Sequence, residues 1–339
     1  MVGLKTDAGT PRPLGQQTVV ITGASSGIGR CAARHLASRG ARVVVTARNA
    51  GALASLVAAI EADGGQALAV PGDVRHEEDL RAVARAAVER FGGIDTWINN
   101  AAVYVQGRVD QVEVEEFRHV LDVNLLGYIR GTKCALEVMQ PQGYGGIIQV
   151  SSIVAKRTAG WQSAYGASKA GQDGFAQALR TELWGSGVHV STLFLPPVDT
   201  PVYRHARAKF GTIPKPPPPI SDPAQAARAI ARLAEHPRAE YVLGEFGRWY
   251  IRLSWLPPRA VDWFLHHVEG LTLTDIPARG DNFDEPLDER PAVRDGWRAR
   301  GWHGWTVGDF VRGLPLEAAV AAGLGGVAVG VLVRRIAGR

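Results

Sequence analysis

The sequence of 339 residues has little lysine, little cysteine and little net charge. Its two cysteines, Cys31 and Cys134, form no CxxC pair, which excludes a disulfide framework and fits a reducing compartment. The net charge is only +5 and the arginines are scattered, so no nucleic-acid partner is expected. The one histidine cluster, His266 and His267 with Glu269, has poor spacing for metal ligands, so no metal site is expected.

The N-terminal stretch MVGLKTDAGTPRPLGQQ has no apolar run of the kind that a secretory signal needs. We therefore expect a cytoplasmic protein. A hydrophobic content of 46% with 21% charged residues is typical of a globular protein with a large core.

Short apolar segments alternate with helical patterns from residue 18 to about residue 245. The segments are TVVIT (18–22), RVVVT (42–46), ALAV (67–70), IDTWI (94–98), GIIQV (146–150), VHVSTLF (188–194) and EYVLG (240–244). Continuous apolar strands separated by helices are typical of a parallel sheet that is covered on both faces. The fold prediction is therefore α/β: a Rossmann-type doubly wound parallel sheet of about seven strands, with a C-terminal helical extension.

The composition divides the chain into four parts. We predict an N-terminal tail over 1–14, a dinucleotide-binding catalytic domain over 15–247, an extension over 248–312 and an apolar tail helix over 313–339. The segment SDPAQAARAIARLAEH is predicted to be a helix that Ser221 or Asp222 caps.

A glycine-rich turn, TGASSGIG (22–29), follows the first strand and runs directly into a helix. Glycines at this point permit a tight turn and the close approach of the backbone to a pyrophosphate at the positive end of the helix. The turn therefore predicts a site for nucleotide phosphates.

The end of the second strand indicates which nucleotide is bound. NAD sites carry an acidic residue here that accepts the ribose 2′-hydroxyl, but this chain has Ala47 and Arg48. A guanidinium suits a 2′-phosphate, so NADP(H) is predicted rather than NAD(H). The alternative is a solvated Arg48 on a loop.

The stretch SAYGASKAG (163–171) places Tyr165 and Lys169 four residues apart, on one face of a helix. A phenol has an ordinary pKa of about 10, and an ammonium one turn away favours the phenolate. The pair suits acid–base catalysis, but on its own it is also what an ordinary helix surface offers.

Five motifs occur in order along the chain: TGASSGIG, NNAA (99–102), VNLLG (123–127), VSS (150–152) and YGASK (165–169). Together they resemble the classical short-chain dehydrogenase/reductase family over roughly residues 15–247. The resemblance implies hydride transfer between NADP(H) and a secondary alcohol or ketone.

The resemblance also implies a catalytic set. Tyr165 is then the general acid or base, and Lys169 holds the nicotinamide ribose and stabilises the phenolate. Ser152 hydrogen-bonds the substrate oxygen, and Asn124 anchors a relay water.

Cofactor contacts are implied for the turn and for the ends of later strands. They are Gly23, Ser25, Ser26, Gly27, Ile28, Gly29, Arg48, Asp73, Val74, Asn99, Ala101, Tyr165, Lys169, Val198 and Thr200. Two positions depart from the family pattern, since Ala102 and Pro197 stand where glycine is usual.

The expected substrate is a hydrophobic alcohol or ketone. The predicted lining, Val103, Tyr104, Val154, Trp161 and residues 201–213, is mostly apolar or aromatic. A homo-oligomer is also expected. Two alternatives remain, a catalytically silent nucleotide-binding sensor or scaffold and a lyase, isomerase or epimerase on the same fold.

The segment 314–333 is almost wholly apolar and is followed by Arg334 and Arg335. As a straight helix it would be about 30 Å long, which matches a bilayer core. Contact with a membrane is one prediction, and a helix docked on the protein or on a partner subunit is the other. The aromatic residues of 249–268 offer an adjoining interfacial surface.

Overall fold

The computed structural model describes residues 11–278, 280–287 and 291–298. Its nine strands are β1 Thr18–Thr22, β2 Arg42–Thr46, β3 Gln66–Ala69, β4 Thr96–Asn99, β5 Val105–Gln106, β6 Gly145–Ser152, β7 Val188–Leu195, β8 Arg207–Ala208 and β9 Glu240–Val242. Seven of them form one parallel sheet in the order β3-β2-β1-β4-β6-β7-β9, while β5 and β8 pair separately. This confirms the predicted doubly wound sheet, and each predicted apolar segment overlaps one of its strands.

Helices cover both faces of the sheet. They are α1 Gly27–Ser38, α2 Ala50–Ala62, α3 Glu77–Phe91, α4 Val114–Leu121, α5 Gly127–Gln142, α6 Ser163–Glu182, α7 Pro223–Glu235, α8 Gly244–Arg252 and α9 Pro258–Val268. A π-helical turn, Asp122–Leu126, joins α4 to α5. Ser221 or Asp222 was predicted to cap α7, and the structure shows that Asp222 does so. Its carboxylate accepts a hydrogen bond of 2.8 Å from the amide of Ala224.

The core forms one apolar layer on each face of the sheet. Val19 and Ile21 of β1 face α1, α2 and α7, while Val20 faces α3, α5 and α6. Every residue of β1 is buried because neither face of this strand meets solvent.

Helix α8 begins at Gly244 and continues past the predicted boundary at 247, and the domain boundaries stay predictions. Tyr250 of α8 and Phe264 and Leu265 of α9 pack on Ile153 and Phe194, beside the ends of β6 and β7. The apolar segment 314–333 lies outside the described residues. Within the described part of the chain, no helix has the length and apolar character needed to cross a membrane.

Candidate active site

A cleft of about 790 Å³ opens at the carboxyl ends of the central strands. The strand order reverses between β1 and β4, and doubly wound sheets bind their ligands at this point. The glycine-rich turn, Arg48, Tyr165 and Lys169 all line the cleft. Residues that are distant in the sequence therefore meet in one site.

The glycine-rich turn is pressed against the segment that follows β4. Gly23 has a positive φ of +66°, and a Cβ there would lie 2.6 Å from the Cα of Ala101. A Cβ on Gly29 would lie 2.4 Å from the carbonyl oxygen of Gly23. The Nδ2 of Asn100 donates to the carbonyls of Thr22 (3.0 Å) and Gly23 (3.1 Å) and holds the turn in place. The turn lines the cleft and α1 begins within it, so its backbone fits a nucleotide pyrophosphate.

Most of the predicted site residues line this one cleft. They are Gly23, Ser25, Ser26, Gly27, Ile28, Arg48, Asp73, Val74, Ala101, Ser152, Tyr165, Lys169, Val198 and Thr200. Three predicted residues, Gly29, Asn99 and Asn124, lie behind its wall.

Asn99 is a residue of the core and is only 1% exposed. Its Nδ2 donates to Oε1 of Gln149 (3.1 Å), Oγ1 of Thr132 (3.2 Å) and the carbonyl of Tyr128 (3.2 Å). Asn99 therefore joins β4, β6 and α5. The adjacent Asn100, which was not predicted, lines the cleft instead, because successive side chains of an extended chain point to opposite sides.

Lys169 lies under the floor of the cleft, with 2% of its surface exposed. Its Nζ donates to the carbonyl of Val150 at 3.1 Å and lies 5.5 Å from the ring centroid of Tyr165. Tyr165 keeps part of its surface open to the cleft and packs edge-on against Tyr104, with 5.1 Å between ring centroids. Helix α6 thus brings the phenol and the ammonium together, and β6 ends beside them at Ser152.

Burial shifts both groups toward their neutral forms. It raises the pKa of Tyr165 to about 12, although a hydrogen bond with Ser152 acts in the other direction. It lowers the pKa of Lys169 to about 7. The pair alone predicts a lowered pKa for Tyr165, and the structure corrects this because the enclosed site disfavours the phenolate more strongly. At neutral pH Tyr165 is therefore a protonated phenol, ready to donate.

Asn124 lies in the π-helical turn and is fully buried. Its side chain accepts from the amide of Val103 (2.8 Å) and donates to the carbonyl of the same residue (3.0 Å). Its own carbonyl accepts a hydrogen bond from Nε2 of Gln172. The side chain thus fixes the wall of the cleft at Val103, and the relay water stays a prediction.

Arg48 lines the other end of the cleft, and its guanidinium contacts the C-terminal segment. Nη1 donates to the carbonyls of Asp284 (2.7 Å) and Phe283 (3.3 Å), and Nη2 donates to that of Asn282. The sequence offered no sign of these contacts, because more than 230 residues separate their partners. The cofactor role of Arg48 stays a prediction.

The C-terminal segment, residues 280–287 and 291–298, lies along this end of the cleft. The carboxylate of Asp199 accepts from three of its backbone amides at 3.0–3.2 Å, including that of Trp297. Asp222 forms ion pairs with Arg294 (2.9 Å) and Arg298 (2.8 Å). The segment therefore closes this end of the cleft through both backbone and charged contacts.

The opposite wall is mostly apolar and aromatic, with Arg204, His205 and Glu269 as polar residues of the lining. Of the predicted lining, Val103, Tyr104, Val154 and residues 201–205 face the cleft, whereas Trp161 packs on Phe210 outside it. Helices α8 and α9 add residues that were not predicted: Phe246, Trp249, Tyr250, Phe264, Leu265 and Val268. The sequences of α8 and α9 are amphipathic and rich in aromatic residues, and this pattern could have predicted that they form a wall of the cleft.

The backbone accommodates Ala102, one of the two departures from the family pattern. Ala102 needs no left-handed backbone, since Trp161 is the one residue other than glycine with positive φ in the described part of the chain. Pro197 lines the cleft, and its carbonyl accepts from the amide of Ser221 at 2.8 Å.

His266 pairs with Glu269 at 3.2 Å, and the described residues contain no group of three potential metal ligands.

Comparisons with known proteins agree with this geometry. The model of the short chain dehydrogenase family matches residues 17–210. YxnA of Bacillus subtilis, an uncharacterized oxidoreductase, is 36% identical over 261 residues, or 76% of this chain and 73% of that protein. The 3-oxoacyl-[acyl-carrier-protein] reductase FabG of Vibrio cholerae is 32% identical over 232 residues, or 68% of this chain and 93% of that protein.

A solved structure is also similar. The alcohol dehydrogenase of the archaeon Thermococcus sibiricus, complexed with 5-hydroxy-NADP, superimposes with a TM-score of 0.60 and 27% identity. The match covers 67% of this chain and 95% of that one. The chain belongs to the short-chain dehydrogenase/reductase family of oxidoreductases, whose members use nicotinamide cofactors.

Proposed function

We propose that this protein transfers a hydride between NADP(H) and a hydrophobic secondary alcohol or ketone. One observation carries the proposal. The phenol of Tyr165 faces an apolar cleft, with the ammonium of Lys169 behind it and the hydroxyl of Ser152 beside it.

A bound nicotinamide supplies or accepts the hydride at the carbonyl carbon. In carbonyl reduction, the hydroxyl of Ser152 donates a hydrogen bond to the substrate oxygen. Tyr165 then donates its proton to the same oxygen as negative charge develops there. The ammonium of Lys169 stabilises the phenolate that remains, and alcohol oxidation runs through the same groups in reverse.

The preference for NADP(H) is supported by Arg48 and by Ala47 beside it, since a neutral residue stands at the end of β2, where NAD sites carry an acidic one. The solved neighbour was crystallised with an NADP derivative. The glycine-rich turn would hold the pyrophosphate, and the adenosine would lie at the end of the cleft that Arg48 lines. Asp73, Val74 and Ala101 also line the cleft.

A hydrophobic substrate is supported by the wall that α8 and α9 contribute, which is built from aromatic and aliphatic side chains. FabG, a relative, is named as a reductase of 3-oxoacyl chains. A ketone on an acyl or other extended apolar group therefore belongs to the proposed substrate class. The proposal includes a homo-oligomer in the cytoplasm. For the segment 314–333 it keeps both predictions, contact with a membrane and a helix docked on the protein or on a partner subunit.

The test is the oxidation of NADPH against a panel of ketones of increasing chain length, with Tyr165→Phe as the matched control. Turnover that rises with apolar length and is lost in the variant supports the proposal. Tight NADPH binding without turnover on any ketone would favour the silent sensor or scaffold instead.

The membrane part of the proposal has a separate test. Cells that express the full chain are fractionated beside cells that express a chain ending at Gly313. Full-length protein found wholly in the soluble fraction, like the shortened chain, would exclude this contact.

A further inference from the structure

Gln172 lies beside the reacting groups, although neither the sequence motifs nor the proposed mechanism includes it. It is on α6, one turn after Lys169, and its surface is 0% exposed. Its Oε1 accepts a hydrogen bond of 3.2 Å from Nζ of Lys169, and its Nε2 donates to the carbonyl of Asn124.

These contacts fix the orientation of the amide. The carbonyl of Asn124 can only accept, so Nε2 must face it, and Oε1 must then face the ammonium. A flipped amide would place two donor groups against each other at Lys169. Gln172 therefore joins α6 to the π-helical turn and presents a neutral acceptor to Nζ.

The other groups around this ammonium are also uncharged at neutral pH. They are the carbonyl of Val150 on β6, the ring of Tyr128 on α5 at 5.1 Å, and the ring of Tyr165 on α6 at 5.5 Å. Burial is the cause of the lowered pKa of Lys169, with no contribution from a carboxylate among the described residues. A change of charge at position 172 would thus be felt directly by Lys169.

We propose that Gln172 is a positioning residue that holds the ammonium of Lys169 in place through Oε1, with its own amide fixed by the carbonyl of Asn124. An amide exchanges protons poorly, so Gln172 holds the ammonium rather than relaying its proton. It also occupies one hydrogen-bonding position on the Asn124 carbonyl. The importance of Lys169 for the reaction rests on the proposed function, but the hydrogen bond itself does not.

The experiment measures the ionisation of Lys169 directly. The chain has only six lysines, so NMR of protein labelled with ¹³C-lysine gives few signals, and Lys169→Arg identifies the one of interest. The pKa of Lys169 is then titrated in the wild type and in Gln172→Glu, Gln172→Leu and Gln172→Met. The exposed Gln177 on the same helix supplies the matched controls, Gln177→Glu and Gln177→Leu.

We expect opposite shifts. A carboxylate at position 172 should raise the pKa of Lys169 by about 1–3 units, because it favours the charged form. Leucine or methionine should lower it, because the ammonium loses an acceptor. Methionine is close to glutamine in shape, so Gln172→Met tests the loss of the acceptor even if Gln172→Leu fails to fold. The Gln177 controls should leave the pKa unchanged.

Activity gives the second readout. The pH above which kcat/KM for NADPH declines should move up in Gln172→Glu and down in Gln172→Met, which a packing role would not produce. Equal or absent pKa shifts in these two variants would overturn the inference. If wild-type protein reduces no ketone, the proposed function fails, while the NMR titration still decides the role of Gln172.

Discussion

The two ends of the cleft are held together by different means. At the end where the proposed function places catalysis (the catalytic end), Asn124, Lys169 and Gln172 are almost completely buried and are hydrogen-bonded to Val150 of β6 or to each other. At the end where the proposed function places the adenosine (the adenosine end), Arg48 binds the C-terminal segment, and Arg294 of that segment pairs with Asp222 near the surface, with its side chain 54% exposed.

This difference determines how each end responds to change. A buried polar group that loses its partner costs about 1–3 kcal/mol, whereas an exposed ion pair contributes about 0–1 kcal/mol. Substitutions at the catalytic end should therefore alter chemistry and stability strongly. Substitutions of the exposed charges at the adenosine end should mainly alter nucleotide binding.

The largest effect is expected for Tyr165→Phe. Loss of the proton donor should reduce kcat by about 10²- to 10⁴-fold, while the dissociation constant of NADPH changes little. Steady-state kinetics and the fluorescence of bound NADPH measure the two quantities. Tyr104→Phe, on the ring that packs against Tyr165, is the control and should stay within tenfold of the wild type. Near-normal turnover in Tyr165→Phe would contradict the mechanism.

A smaller effect is expected from combining Ala47→Asp with Arg48→Ala. The ratio of kcat/KM for NADPH over NADH should fall by about ten- to a hundredfold, since a charge-assisted hydrogen bond contributes about 1.5–3 kcal/mol. Arg48→Ala alone shows whether Arg48 also serves the C-terminal segment through the carbonyls of 282–284. If this single change lowers stability and leaves the ratio unaltered, Arg48 is a structural residue.

The pH dependence should report the burial of Lys169. With a pKa of about 7, its ammonium is present at lower pH and lost at higher pH. We expect kcat/KM for NADPH to be level below about pH 7 and to fall about tenfold per unit above it. A profile that stays level to pH 9 would contradict this assignment.

Stability should change with pH in the opposite sense. The unfolded lysine keeps its proton up to a pKa of about 10.4, so the folded state binds fewer protons between that value and about 7. The free energy of unfolding therefore gains a contribution from Lys169 that rises with pH across this window. Denaturant titrations at several pH values should show this slope in the wild type and its loss in Lys169→Met.

The smallest effect is expected for two contacts that hold the C-terminal segment, the ion pair of Arg294 and the hydrogen bonds of Asp199. Arg294→Gln breaks an exposed ion pair and should change the free energy of unfolding by less than about 1 kcal/mol. Asp199→Ala leaves three backbone amides without their acceptor and should cost about 1–3 kcal/mol. Both variants should weaken NADPH binding. Equal losses of stability would indicate that the segment is not anchored through Asp199.

The doubly wound parallel sheet followed from the sequence, because continuous apolar strands alternating with helices favour a parallel topology. The strand order and the position of the cleft came from the structure. The pair Tyr165 and Lys169 was also predictable, since four residues on a helix place two side chains together whatever surrounds them. The motif NNAA was less informative, because its first asparagine joins the core while the second faces the cleft.

The sequence by itself determined the α/β fold, the glycine-rich turn and the placement of Tyr165 and Lys169 on one helix face, because these depend on local spacing and on apolar periodicity. Ser152 and Asn124 were expected only from the resemblance to the family. Only the tertiary structure decided which groups surround them. The amide of Gln172 on Lys169 depends on the packing of α6 against the π-helical turn. The carbonyls on Arg48 depend on a segment more than 230 residues away. Contacts of this kind arise from three-dimensional packing, which leaves no periodic pattern in the sequence.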